Sequence, residues 1–156
     1  MRCQGLRSPK IWRHSLQKLA GTLRRASTDP ELISAIINGL RSWHTSVLPV
    51  CHSRNPNLRS VFNAQKHLGW ENCARGFISH HWRATQELYC RRLLSCAHFS
   101  SEHWVATLIK GLWDVAWDQW EYRNAILHSP LHQAHGLLTH SLDTAIIQEQ
   151  PCQRQR

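Results

Sequence analysis

The chain has 156 residues, 42% of them hydrophobic, with eight Trp, twelve His and a formal net charge of +9. This composition excludes an intrinsically disordered chain, and the length suits one domain better than two. No apolar run approaches the ~20 residues that span a bilayer, so no membrane partner is expected.

The positive charge is concentrated in the first half of the sequence. Residues 1–60 hold ten basic and two acidic side chains (+8), residues 61–100 five and two (+3), and residues 101–156 four and six (−2). A surface of this kind attracts polyanions, so RNA or DNA is the expected partner. The alternative is a solubilising surface that has no partner.

The cysteines and the N-terminus bear on location. Six cysteines include no CxxC pair and no secretory segment precedes them, which predicts reduced thiols and an intracellular protein, nuclear or cytoplasmic. Residues 1–28 contain seven Lys or Arg and no acid, a composition that a mitochondrial presequence shares. A structural first helix is favoured, because its apolar stripe continues directly into a second amphipathic helix.

Two helices are predicted in the first third of the chain. Ser8-Pro9 places a capping hydroxyl before a proline, and the helix it begins runs to about Ala26. Asp29-Pro30 repeats this pattern, and Val47-Leu48-Pro49 ends the second helix. Val50 to Asn57 is predicted to be the longest loop.

The remaining elements are also helical by apolar periodicity. The predicted helices run from Asn57 to Gly69, from Trp70 to Phe99 with a kink at Gly76, from Ser101 to His128, and from about Leu131 to Ile146. The sequence therefore predicts an all-α domain of about six helices over residues 1–150, bundle-like or orthogonal. A frayed basic tail over residues 151–156 is expected to follow.

The long helix at 101–128 carries two conspicuous stripes. Trp113, Trp117 and Trp120 share one face, and core packing is favoured over base stacking because acids rather than arginines lie between them. Those acids follow the same spacing and could bind a divalent metal, although a solvated acidic face is favoured. They are Asp114, Asp118 and Glu121.

The end of this helix resembles a catalytic motif. Arg123-Asn124, three residues and His128 are similar to the Arg, polar, x3, His motif of HEPN ribonucleases, which are all-helical, usually dimeric and metal-independent. That resemblance implies proton transfer by His128, phosphate stabilisation by Arg123 and support from Asn124, in a homodimer. The alternative is an ordinary pair of helix-terminal cations, since side chains five residues apart diverge by roughly 140°.

No cofactor or metal is predicted. His128, His132, His135 and His140 lack a convincing zinc-ligand spacing because Pro130 interrupts them. The chain has no Walker loop, GxSxG, HExxH or dinucleotide glycine motif.

Three stretches of the sequence carry a family resemblance. They are Thr28-Asp29-Pro30-Glu31-Leu32 through Gly39-Leu40-Arg41-Ser42-Trp43, then Gly76-Phe77-Ile78-Ser79 to Trp82, Gln86 and Tyr89, then Trp104 through Leu108-Ile109 and Leu112-Trp113 to Trp120, Arg123-Asn124 and Leu127-His128. Together they resemble an uncharacterised helical region at the C-terminal end of retroelement reverse-transcriptase-like proteins of diatoms and other microbial eukaryotes. The resemblance implies a nucleic-acid-associated accessory domain. It carries no polymerase activity, because no Tyr-x-Asp-Asp turn is present.

The sequence therefore predicts a basic, tryptophan-rich, retroelement-derived, non-catalytic module that binds nucleic acid or another partner. Its expected phosphate contacts, chosen by charge density, are Arg13, Lys18, Arg24, Arg25, Arg83, Arg91 and Arg92. The alternatives are a HEPN-like ribonuclease and a non-functional fragment of a decayed element.

Overall fold

The structure, a computed structural model, describes residues 8–51, 53–93 and 99–129. Those residues form six α-helices and no strand, which confirms the all-α prediction. The helices are α1 (Pro9–Arg25), α2 (Pro30–His44), α3 (Pro56–Leu68), α4 (Trp70–Ala74), α5 (His80–Arg92) and α6 (Ser101–Leu127). The helix predicted near 131–146 and the tail at 151–156 lie outside the described residues.

The chain divides into two compact units. Ser8–Gln119 form one of them, and Met1–Arg7 with Trp120–Arg156 form the other. Of the second unit the structure describes residues 120–129, which are the end of α6 and the turn after it. Among the described residues, no helix is long and apolar enough to cross a bilayer.

Three helices begin with the same pair of residues, a polar cap followed by proline. In each pair the cap side chain accepts a hydrogen bond from a backbone N–H of the first turn, and proline has no N–H to leave unpaired. The pairs are Ser8-Pro9, Asp29-Pro30 and Asn55-Pro56. The sequence predicts a loop that includes the third pair and a helix from Asn57, so α3 begins one residue earlier than predicted.

The prediction of one kinked helix from Trp70 to Phe99 was wrong. The chain makes a short helix, a turn at Gly76 with φ +93°, and then a separate helix that Ser79 caps. Glycine is suited to that positive φ, and a Cβ there would lie 2.7 Å from the indole Nε1 of Trp113. The turn at Gly76 thus lies directly against Trp113 of α6, a contact that the local periodicity does not report.

The first unit is built around one apolar core to which all six helices contribute. α2 is central, since it packs against α1, α3 and α4, while α3 also packs against α4 and α5. The largest buried side chains are Trp82, Trp104, Phe62, Leu23, Leu32, Ile36, Leu40, Leu108 and Leu112. Cys73 is a buried free thiol, and burial raises its pKa to about 12. Cys90 is also buried and accepts a hydrogen bond from the Gln86 amide at 3.2 Å.

Two buried glutamines join segments that are far apart in the chain. Gln65 on α3 accepts hydrogen bonds from the Ser79 backbone N–H and the Trp82 indole, both at 3.0 Å. Gln86 on α5 accepts from the Asp29 backbone N–H and donates to the Ser27 carbonyl, both at 3.0 Å. The second glutamine fixes α5 to the turn between α1 and α2.

Candidate nucleic-acid interface

Helix α1 separates its apolar and charged residues completely. Trp12, Leu16, Leu19 and Leu23 are buried in the core. The solvent face carries all of the helix's Lys and Arg side chains, and the helix contains no Asp or Glu. The cations are Lys10, Arg13, Lys18, Arg24 and Arg25. Because no acid on the helix itself can neutralise this face, only another element or a ligand can do so.

One of the α1 cations is neutralised by α6. The Lys18 ammonium lies 3.1 Å from the Asp118 carboxylate, which also accepts a 2.6 Å hydrogen bond from the Ser15 hydroxyl. Burial acts to raise the pKa of Asp118, but the hydrogen bonds from Ser15 and Lys18 outweigh it and hold that pKa below its ordinary value. Lys18, one of the predicted phosphate contacts, is thus committed to the fold.

The three arginines of α1 are not neutralised by an acidic side chain in the described part of the chain. Arg25 donates to the Thr22 hydroxyl at 3.0 Å, a neutral partner. Arg13 and Arg24 are exposed and, within the described ranges, form no ion pair. These three arginines are the members of the predicted set on α1 that the structure leaves able to bind a phosphate.

On α5 the predicted contacts divide in the same way. Arg83 bridges the carboxylates of Glu87 and Glu102, and these partners raise its pKa. Arg91 and Arg92 lie exposed in the last turn, and no ion pair to either is present in the described part of the chain. Arg83 is therefore a poor phosphate contact, whereas Arg91 and Arg92 have the exposure that the role requires.

The last turns of α1 and α5 meet beside one cavity. Its volume is about 520 Å³, and Arg24 of α1 and Tyr89 of α5 both line it, with the turn between α1 and α2 forming another wall. The Gln86 hydrogen bonds to that turn account for this juxtaposition. Two basic helix ends, Arg24-Arg25 and Arg91-Arg92, are thus brought to one region of the molecule.

The prediction that the α6 tryptophan stripe packs in the core was wrong. Trp113, Trp117 and Trp120 are 59%, 56% and 52% exposed. The buried face of α6 is instead the stripe that includes Trp104, Leu108, Leu112 and Val115. Both stripes have helical spacing, but the core is built on the second. In the first, the Trp113 indole donates to the Arg75 carbonyl at 3.1 Å and stays more than half exposed.

Two of the three acidic residues on the stripe beside these tryptophans bind lysines. Asp114 pairs with Lys110 at 3.0 Å, and Asp118 pairs with Lys18. Glu121 is exposed. No group of three His, Cys, Asp or Glu side chains suited to a metal ion occurs among the residues that the structure describes.

The residues of the HEPN-like motif lie at the end of α6. Arg123 and His128 are exposed and Asn124 is half-buried. The His128 backbone N–H still bonds to the Asn124 carbonyl at 2.9 Å, so the helical path continues to His128. Arg123 and His128 consequently keep the roughly 140° separation of an ideal helix, and the helix end does not bring them together.

No protein-family model, curated protein or solved structure matches this chain. The candidate interface therefore rests on geometry alone. Charge density selected Arg13, Arg24, Arg25, Arg91 and Arg92 as phosphate contacts, and these five arginines are exposed. It did not single out Tyr89 or the turn at Ser27. Their convergence depends on Gln86, whose partners lie 57 and 59 residues away in the chain.

Proposed function

We propose that this protein is a non-catalytic module that binds nucleic acid through the solvent face of α1 and the basic end of α5. The observation that carries the proposal is the complete charge segregation of α1, which has cations on its exposed face and no acid in any of its positions. A row of unneutralised cations on a folded surface attracts the phosphates of a nucleic acid and releases the counterions condensed on them.

The spacing of the arginines suits a phosphate backbone. Arg13 and Arg24 are eleven residues apart, about three helical turns or roughly 16 Å along α1. Successive phosphates of one strand rise by about 3.4 Å along a duplex, so the two arginines could contact the same strand several nucleotides apart. Arg25 and the α5 pair would extend the contact beyond the end of α1.

An anionic membrane is a poorer fit for the same charges. Amphipathic helices bind bilayers by inserting their apolar face into the headgroup region. The apolar face of α1 is already buried, since Trp12, Leu16, Leu19 and Leu23 are each at most 6% exposed. The same burial supports α1 as a structural helix rather than a presequence, because a presequence must present that face to its receptor.

A retroelement origin is part of the proposal. Several residues that carry the resemblance hold the α1–α2 turn in place, including Thr28, which accepts a 2.8 Å hydrogen bond from the Trp104 indole. Gln86, another of them, bonds to the same turn. These residues shape the fold here, and the resemblance that includes them implies an accessory role with nucleic acid.

The test is equilibrium binding measured across salt concentrations. Labelled single- and double-stranded RNA and DNA of ten to twenty nucleotides are titrated with the full chain between 50 and 200 mM salt. A protein that neutralises phosphates shows log K falling linearly with log salt, with a slope of about −0.7 to −0.9 per phosphate. Absence of binding, or an affinity independent of salt, rejects the proposal.

Cleavage products of the RNA distinguish the ribonuclease alternative from a module that only binds. If α6 carried a HEPN-like site, the RNA in this titration would be cleaved, and His128→Ala would abolish cleavage while leaving binding intact. The geometry does not favour this outcome, because Arg123 and His128 diverge on one helix. A non-functional fragment would show neither cleavage nor salt-dependent binding.

A further inference from the structure

The cavity at the end of α1 differs chemically from the rest of the basic surface. Four segments enclose its volume of about 520 Å³: the end of α1, the α1–α2 turn, the start of α2 and the end of α5. Its walls include Arg24, Ser27, Thr28, Ile33, Ser34 and Tyr89. One wall is thus cationic, one carries hydroxyls, and one is apolar and aromatic.

The charge inside this cavity is positive. Arg24 is the one charged side chain among its described lining residues. The two acids nearest in sequence are directed elsewhere, since the Asp29 carboxylate caps α2 by accepting from the Glu31 backbone N–H at 2.8 Å. The Glu31 carboxylate accepts from the Ser53 hydroxyl at 3.2 Å and lines a different cavity.

That second cavity provides an internal contrast. It also measures about 520 Å³ and shares Pro30 and Ser34 with the first, but its walls carry both Glu31 and Arg54. A carboxylate beside the opening repels a phosphate, so the second cavity does not suit the same ligand. The cavity beside Arg24 is the one that is continuous with the cationic face of α1.

The size and the walls of the first cavity suit a nucleobase. A volume near 500 Å³ lies within the ordinary range for small-molecule sites. The half-buried Tyr89 offers an aromatic ring on which a base can stack, and Ile33 adds an apolar surface. The Ser27 hydroxyl can donate to or accept from the edge of a base. The Ser34 hydroxyl donates to the Pro30 carbonyl at 2.9 Å and can accept from the base.

We infer that this cavity receives one unstacked base of a single-stranded nucleic acid whose phosphates lie along α1, with Tyr89 as the stacking platform. The inference rests on the proposed function and makes it more specific. A duplex would have to unpair and flip a base, at a cost of unstacking, before the cavity could be filled. Single strands should therefore bind more tightly than duplexes of equal length.

The experiment compares two neighbouring positions on α5. A fluorescein-labelled decamer of mixed sequence and its blunt duplex are titrated against the full chain by anisotropy at several salt concentrations between 50 and 200 mM, for the wild type, Tyr89→Ala and Tyr89→Phe. Leu88→Ala is the matched control, because Leu88 is 43% exposed and does not line the cavity. Circular dichroism checks the fold, and Tyr89→Leu, which keeps apolar volume without an aromatic ring, replaces Tyr89→Ala if that variant unfolds.

The wild type should bind the single strand more tightly than the duplex. Tyr89→Ala should weaken single-strand binding by about 5-fold to about 150-fold, the effect of losing one stacked base, and change duplex binding less than about twofold. Tyr89→Phe and Leu88→Ala should both stay close to wild type. Equal, salt-dependent binding of both ligands, or a Tyr89→Ala effect that is absent or the same for both, overturns the base-cavity inference but leaves the proposed function standing. Absence of salt-dependent binding to either ligand overturns both.

Discussion

Helices α1 and α6 pack against each other, but most charged side chains of α6 form ion pairs whereas most of those on α1 do not in the described part of the chain. A Cβ at Gly111 of α6 would lie 2.6 Å from the Leu19 side chain of α1, so Leu19 packs directly against the α6 backbone at this glycine. The acids of α6 at 114 and 118 each hold a lysine, whereas α1 holds no acid and leaves Arg13 and Arg24 without an ion pair in the described ranges. Asp114 and Asp118 of α6 are therefore engaged in ion pairs within the fold, and α1 is the better candidate for the binding surface.

The largest effect should come from the buried face of α6. Leu112→Ala removes a side chain that is 1% exposed and leaves a cavity in the core, and should lower the free energy of unfolding by about 2–5 kcal/mol. Urea denaturation measures this loss. Leu88→Ala, the same truncation at an exposed position on α5, should change stability by less than about 0.5 kcal/mol. Equal losses would mean that α6 does not carry the core as described.

Reversing one charge on α1 should have the next largest effect, on binding rather than stability. Arg24→Glu replaces an attraction to phosphate of about 1 kcal/mol with a repulsion of similar size, which weakens binding by roughly 30-fold. Lys110→Glu makes the same change of charge on α6, where Lys110 already pairs with Asp114. Anisotropy titrations should show little effect of Lys110→Glu. Equal losses in both variants would mean that net charge, and not the α1 face, governs binding.

Removing the carboxylate that links the two helices should have a smaller effect. Asp118→Asn loses the charge that Ser15 and Lys18 stabilise, and should cost about 1 kcal/mol at pH 7, since Lys18 is about half exposed. Because folding lowers the pKa of Asp118, its contribution is present above the ordinary aspartate pKa of about 4 and is lost as pH falls below that value. Thermal melts of wild type and variant should therefore converge as the pH falls from about 4 through the lowered pKa of Asp118. A difference that stays constant as the pH is lowered would contradict the assignment.

The smallest effects should come from the ends of α1 and α2. Both helices end with a serine in the left-handed region, Ser27 at φ +53° and Ser46 at φ +58°, and both are followed by the same pair of backbone hydrogen bonds. Ser27→Gly and Ser46→Gly should each stabilise the protein by roughly 0.5 kcal/mol, because the backbone strain that glycine relieves exceeds the additional chain entropy that glycine loses on folding. Urea midpoints should rise in both. A fall in either would show that the serine hydroxyl contributes more than the strain costs.

Local sequence patterns predicted where the helices start better than they predicted which face of each helix packs in the core. The Ser8-Pro9 and Asp29-Pro30 pairs are complete within a few residues, so the sequence revealed them directly. Periodicity could not show which stripe of α6 faces the core, because Leu108-Leu112 and Trp113-Trp117 have the same spacing and tertiary contacts choose between them. Because the tryptophans are large and apolar, the sequence favoured the wrong stripe as the buried face of α6.

The candidate site was predictable only in part, for a similar reason. Exposed cations can be counted from the sequence, but pairing across the fold removes Lys18 and Arg83 from the set. The cavity beside Arg24 depends on Gln86, a polar residue whose burial and partners come from segments nearly sixty positions away. No local pattern distinguishes such a glutamine from an exposed one.

The salt dependence of binding after removal of two α1 arginines tests the central claim most directly. Arg13→Ala combined with Arg24→Ala is compared with the wild type and with Lys110→Ala, using the single-stranded decamer over 50 to 200 mM salt. If both arginines contact phosphates, the slope of log K against log salt becomes shallower by about 1.4 in the double variant, at about 0.7 per lost contact with a single strand. The slope of Lys110→Ala should match the wild type. Identical slopes for all three proteins would contradict the assignment of the phosphate contacts to α1.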